Sequence, residues 1–177
     1  MNRVDDHSLI RQSIQGERKA FEEIVERYHR PIYNAAVRII SDSDEAEDIT
    51  QMVFMKAFEK LHTFKFDHLL FNWLYRIAIN EALNAVRRKE RFVEFNEAAH
   101  QTGDGGGGEY ETYEISVIID GALKRLKPEY RTVVVLYHFL HLSYSEMSYV
   151  LEIPEKTIKS RLFTARHSLR DLLLKVM

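Results

Sequence analysis

In the segment 154-PEKTIKSRLFTARHSLRDLLLK-175, side chains suited to nucleic acid recur at helical spacing. Ile158, Leu162, Ala165, Leu169 and Leu172 share one helix face, which needs a core to bury it. Thr157, Ser160, Arg161 and Thr164 lie beside or opposite that face, near the N-terminal end. Arginine can hold guanine through two hydrogen bonds, and serine or threonine can donate to or accept from base edges. Lys156, Lys159, Arg166 and Arg170 suit phosphate oxygens, in contacts that are salt-sensitive and blind to sequence. Taken alone, the pattern fits a solvated amphipathic helix equally well. A membrane-surface helix fits less well, because the apolar side lacks tryptophan.

A second stripe lies in 73-WLYRIAINEALNAVRRK-89. Trp73, Arg76, Asn80, Asn84 and Arg87 recur opposite Leu74, Ile77 and the alanines. Aromatic rings stack on unpaired bases, and amides hydrogen-bond base edges. Periodicity leaves this open, since Trp73 also suits a core and Arg87-Arg88-Lys89 a solvated last turn. Enzyme chemistry finds no constellation: dinucleotide, phosphate-loop and His-Glu-x-x-His motifs are all missing. His138 and His141, three apart, read better as packing or surface histidines than as metal ligands, because no third ligand is near. Glu45 and Asp48 read better as helix N-terminal acids than as a catalytic pair. With no cysteine, disulfides, thiolate zinc sites and cysteine nucleophiles are excluded. We therefore expect no catalytic residue, metal or cofactor.

The elements that must position these residues read as all-α. Gly103–Gly108, GDGGGG, holds five of the seven glycines and reads as a flexible linker with polar, acidic flanks. It divides the chain into two small helical domains, 1–95 and 115–177, joined by 96–114. Charge divides the same way: residues 1–120 carry a net −7 and residues 121–177 a net +5. In the front half, Asp5 or Asp6 is expected to cap a first helix, Gly16 to punctuate it and Pro31 to kink the next. Asp42 or Ser43 caps a third helix, whose core stripe is Ala46, Ile49, Val53, Ala57 and Leu61. Asp48, Gln51, Met52 and Met55 fall off that stripe. In the back half, TVVVLYHFL has strand propensity, but its 133/136/137/140 spacing favours a buried helix. Ser143 with Glu146 forms a capping-box pattern, so a short helix starts at Tyr144 and ends before Pro154. A short helix, a tight turn and a basic helix match helix-turn-helix spacing, which favours DNA reading over the solvated alternative. No run of 18 apolar residues exists, so membrane insertion is not expected. The N-terminus lacks a secretory signal pattern, and we expect a cytoplasmic protein.

Four segments in this order resemble the extracytoplasmic-function sigma factors of the bacterial sigma-70 family: 20-AFEEIVERYHRPIYNAAVRII-40, 45-EAEDITQMVFMKAF-58, 73-WLYRIAINEALNAVRR-88 and 126–173. The resemblance implies a subunit that directs core RNA polymerase to specific promoters and assists melting, catalysis belonging to the polymerase. It implies that Asp48, Gln51, Met52 and Met55 dock on the clamp coiled coil of the largest catalytic subunit. The second domain would meet the flap of the second-largest subunit. Phe64, Lys65, Asp67, Asn72, Trp73, Arg76, Asn80, Asn84, Arg87 and Arg88 would bind the −10 element, the loop 64–72 capturing a flipped base. Lys156, Thr157, Lys159, Ser160, Arg161, Thr164, Arg166 and Arg170 would bind the −35 element. An anti-sigma factor is a further expected partner. The alternative is a helix-turn-helix regulator acting without core polymerase.

Three positions depart from the family pattern. The loop FKFDHLLF is unusually apolar, which implies an altered −10 preference or burial against the other domain. Lys156 stands at a common glycine. Glu152 stands where the turn usually holds a small residue; a positive φ there costs about 1 kcal/mol more than with glycine. The linker adds a physical bound. Its 19 residues span about 25 Å as a coil and at most roughly 65 Å extended. Promoter elements some 25 base pairs apart lie about 85 Å apart at ~3.4 Å per pair. Weak promoter binding by the free chain follows.

Overall fold

The computed structural model describes residues 3–95 and 110–174, and among these residues the chain is helical with no strand. The glycine-rich stretch 103–108 lies outside the described residues. The first domain holds α1 (Arg3–Ile14), α2 (Arg18–Ile40), α3 (Ser43–Lys60), a 3-10 turn (Leu61–Thr63) and α4 (Leu70–Phe95). The second holds α5 (Tyr110–Lys124), α6 (Pro128–Val134) continued by a π-turn (Val135–Phe139), α7 (Tyr144–Leu151) and α8 (Glu155–Leu174).

Local chemistry sets most of these boundaries. Gly16, at φ 96, lets the chain turn between α1 and α2. Asp6 does not cap α1, which has already begun at Arg3. Its carboxylate is buried and accepts from Arg27 Nη1 at 2.7 Å and Tyr28 Oη at 2.6 Å. α2 runs through Pro31, with Tyr28 and Ile32 fully buried on either side. Asp42 caps α3, accepting from Glu45 N at 3.1 Å. Lys89 of α4 holds the same cap, 2.8 Å from Asp42 and 2.5 Å from Glu45. These hydrogen bonds, that from Lys89 foremost, keep the Asp42 carboxyl below its ordinary 3.8.

In the second domain, α5 begins at Tyr110, so the segment 96–114 ends in helix. The β-branched run at Val133–Val135 is helical because it is buried on every face. Ser143 and Glu146 form the expected capping box on α7. The turn into α8 places Glu152 at φ 54, ψ 35, the left-handed region, which costs a β-carbon about 1 kcal/mol. The Ser148 hydroxyl ties this turn by donating to Ile153 O at 2.7 Å.

The two domains share one continuous apolar core, extending from Leu9 to Ala165. Polar contacts reinforce the seam. Arg131 of α6 is 8% exposed and donates to Ile39 O at 2.6 Å, at the C-terminal end of α2. It also donates to Ser41 Oγ, Lys124 O and Leu126 O. Arg38 of α2 lies 4.5 Å over the Phe139 ring. α7 packs along the start of α4.

Candidate nucleic-acid interface

α8 presents the division that its spacing implies. Ile158, Leu162 and Ala165 are buried, while Lys156, Lys159, Ser160, Thr164, Arg166 and Arg170 are exposed. Thr157 and Arg161 are half-buried, and Arg161 lines a cleft of about 420 Å³ with Leu83 and Arg87 of α4. Two cations are held over rings. Lys159 lies 5.1 Å over Tyr144, and Arg166 lies 5.0 Å over Tyr137. The two tyrosines stack 5.5 Å apart, so they form one platform beneath both charges. Arg166 Nε also donates to His138 Nε2 at 3.3 Å. Burial, with Arg166 and His141 adding, pushes the His138 imidazole below its ordinary 6.5, which keeps it a neutral acceptor.

The α4 stripe is split. Asn80, Asn84, Arg87 and Arg88 are exposed along the helix, and Trp73 is half-buried with its edge on Phe64. Lys65 and Asp67 are exposed in the loop. Phe64 is not available to a base. It is 6% exposed, packed among His7, Phe66 and Trp73, and serves to hold the loop. Phe66 is clasped in turn by His7 at 5.2 Å and by the Arg11 guanidinium at 5.2 Å. Phe64 and Phe66 of the apolar loop thus sit against α1, Phe71 packs on Tyr28 and Tyr75, and His68 stacks on Tyr149 of α7, at 4.1 Å. Asn72 and Arg76 are engaged by α7: Asn72 Nδ2 donates to Glu146 Oε1 at 3.1 Å, and Arg76 pairs with Glu152.

A third face lies on α3. Asp48, Gln51, Met52 and Met55 are exposed together, and Met55 is 66% exposed. Burial of such a row by a partner would remove apolar surface from water.

Comparison with known proteins agrees along the chain. Residues 24–92 match the model for Sigma-70 region 2, and residues 116–169 match that for Sigma-70, region 4. The chain is 31% identical to the RNA polymerase sigma-H factor of Pseudomonas aeruginosa, over 96% of this chain and 94% of that protein. It is 32% identical to the ECF RNA polymerase sigma factor SigW of Bacillus subtilis, over 93% of this chain and 94% of that one. The chain belongs to the extracytoplasmic-function branch of the sigma-70 family. Its fold is similar to that of the sigma factor RpoE of Bartonella quintana, solved with the anti-sigma factor NepR. The TM-score is 0.77 at 26% identity, covering 88% of this chain and 97% of that one.

Several residues of this sigma factor escaped sequence reasoning. Phe58 is 58% exposed and extends the α3 face beyond Met55. Phe163 is 66% exposed between Ser160 and Thr164 on α8. Both are large apolar side chains off their helix's buried row, and that mismatch is the signal that could have found them. The contacts of Glu146, Tyr149 and Glu152 with Asn72 and Arg76 left no such signal, because these partners lie more than 70 residues away in the chain, at separations of 74 for Glu146 and 76 for Glu152.

Proposed function

We propose that this sigma factor brings core RNA polymerase to promoters through three surfaces and assists their melting. The α3 face around Asp48, Gln51, Met52 and Met55 docks on the clamp coiled coil of the largest subunit, and the second domain docks on the flap. The loop 64–72 and the α4 row Trp73, Arg76, Asn80, Asn84, Arg87 and Arg88 engage the −10 element. The exposed row of α8 engages the −35 element, with Ser160, Thr164 and the edge of Arg161 toward bases and Lys159, Arg166 and Arg170 toward phosphates. The domain spans are 1–95 and 115–177, with 96–114 as the connection.

What carries this reading is the division of α8 into a buried apolar row and an exposed basic and hydroxyl row, with its cations seated on the Tyr137–Tyr144 platform. An anti-sigma factor is a further proposed partner, of the kind solved with the Bartonella relative. The polymerase sets the compartment, the cytoplasm, and no helix among the described residues is long and apolar enough to cross a membrane.

Run-off transcription tests the proposal. Core polymerase plus this chain should initiate from a promoter mapped by sequencing transcript starts after overexpression. If it never initiates while the chain alone shifts a duplex site tightly, the chain is a regulator that works without polymerase.

A further inference from the structure

Arg166 and Arg170 stand one turn apart on α8, both exposed and both assigned above to the −35 backbone, yet only Arg166 is held. Its guanidinium carbon lies 5.0 Å over the Tyr137 ring, and its Nε donates to His138 Nε2 at 3.3 Å. These contacts leave both terminal amino groups without a partner among the described residues, available for two parallel bonds to one phosphate. Arg170 meets no ring and no carboxylate among the described residues. Lys159, two turns before Arg166, is seated in the same way, its ammonium 5.1 Å over the Tyr144 ring. Glu155 lies 3.6 Å from that ammonium, an exposed pair that salt weakens.

The two rings come from outside α8. Tyr137 belongs to the π-turn that continues α6, and Tyr144 is the first residue of α7. The π-turn closes with Leu140 N donating to Val135 O at 3.2 Å, and it carries both Tyr137 and His138. The rings stack 21° from parallel with centroids 5.5 Å apart. Both are half-buried and packed against the apolar core, which restrains them. Neither hydroxyl has a partner among the described residues, so packing of the ring is what places each tyrosine. A long basic side chain loose in water samples many rotamers, and ordering it at an interface costs affinity. A side chain already seated on an aromatic face has given up that freedom beforehand, and it keeps its full charge.

We propose that Tyr137, Tyr144 and His138 are positioning residues for the −35 element, holding Lys159 and Arg166 ready for phosphate oxygens as a fixed pair. The proposal rests on the −35 assignment of those two cations made above. It divides the basic residues of α8 into this seated pair and two unseated cations, Lys156 and Arg170.

Holoenzyme assembled from core polymerase and the full chain is titrated against a fluorescein-labelled duplex of the mapped promoter over a range of salt concentrations. Arg166→Ala should lower the slope of log affinity against log salt by about 0.9, the loss of one phosphate contact. Tyr137→Leu with Tyr144→Leu keeps apolar side chains and removes the aromatic faces. This leucine pair should weaken binding about five-fold at every salt concentration, because ordering the two cations then falls to the binding step, and should leave the slope unchanged. Tyr137→Phe with Tyr144→Phe keeps the faces and should bind within about two-fold of the original chain. In a background carrying Lys159→Ala and Arg166→Ala, the leucine pair should have no further effect.

A loss that persists without the two cations makes the tyrosines supports of the helix and overturns the proposal. A phenylalanine pair as weak as the leucine pair also overturns it, because the hydroxyls would then touch DNA themselves. Unchanged affinity with the leucine pair, while Arg166→Ala still lowers the slope, overturns the positioning and leaves the −35 assignment standing. Unchanged slope and affinity on removal of Lys159 and Arg166 together strikes both cations from the −35 set, and the proposal with them. Should the leucine pair fail to load on core polymerase, His138→Ala decides, since this residue is exposed. It should weaken binding about three-fold at unchanged slope, by freeing one side chain, and no loss there overturns the proposal.

Discussion

Arg131 and Arg161 are both arginines of the second domain, and their surroundings give them opposite duties. Arg131 is 8% exposed, and burial lowers its affinity for the proton, with Glu90 acting against that. Its two terminal amino groups donate to the carbonyls of Ile39, Lys124 and Leu126 and to Ser41 Oγ, while its buried Nε has no partner among the described residues. Arg131→Met removes one donor group and strands several buried acceptors. It should lower stability by about 2–3 kcal/mol, the penalty for buried polar groups left unpaired, read as a shift in the denaturant midpoint. Arg161 sits half-buried at the edge of the cleft beside α4. Arg161→Ala should cut run-off transcription about ten-fold or more, the discrimination of one bidentate base contact, with little change in core binding. Equal loss of both activities would remove Arg161 from the −35 set. Spacing alone separates these two residues poorly: each is a cation next to an apolar row, and only burial tells an anchor from a reader.

At the scale of elements, most helix ends were legible because they rest on local chemistry. Asp42, Ser143 and Gly16 act within three or four residues of themselves, so the chain's own order contains the information. The failures had a different cause. Asp6 has the right type for a cap, yet α1 starts earlier and a buried pair with Arg27 and Tyr28 claims the carboxylate. The Thr132–Leu136 run has strand propensity, and burial on all sides overrides it. The α3 cap yields a pH prediction. The folded Asp42 carboxyl is held below its ordinary 3.8, chiefly by Lys89. Its stabilisation is therefore complete above that range and drains away as pH falls through the lowered folded value. Asp42→Asn should lower stability at neutral pH and flatten the acid limb below about pH 4, so that the two unfolding curves converge there. A constant difference down to pH 2 would mean that charge is not what Asp42 contributes.

At the scale of the molecule, the two elements proposed to read DNA share one apolar core. The free chain should therefore shift a promoter duplex carrying both elements far more weakly than the chain bound to core polymerase. Equal affinity in a gel-shift titration would mean that the closed arrangement and the linker impose no barrier. By itself, the sequence determined the helices, the caps of α3 and α7, the buried row of α8, the exposed methionines of α3 and the order of family segments. Each of these follows from spacing or from neighbours in the chain. Only the tertiary structure decided that Phe64 belongs to the core, that Arg131 anchors α2, and that Glu146 and Glu152 meet Asn72 and Arg76. Those pairs join residues separated by 74 and 76 positions in the chain, and no local propensity encodes a contact made across that distance. Which side chains meet there depends on how two apolar surfaces dock, and burial is proportional to area without specifying partners.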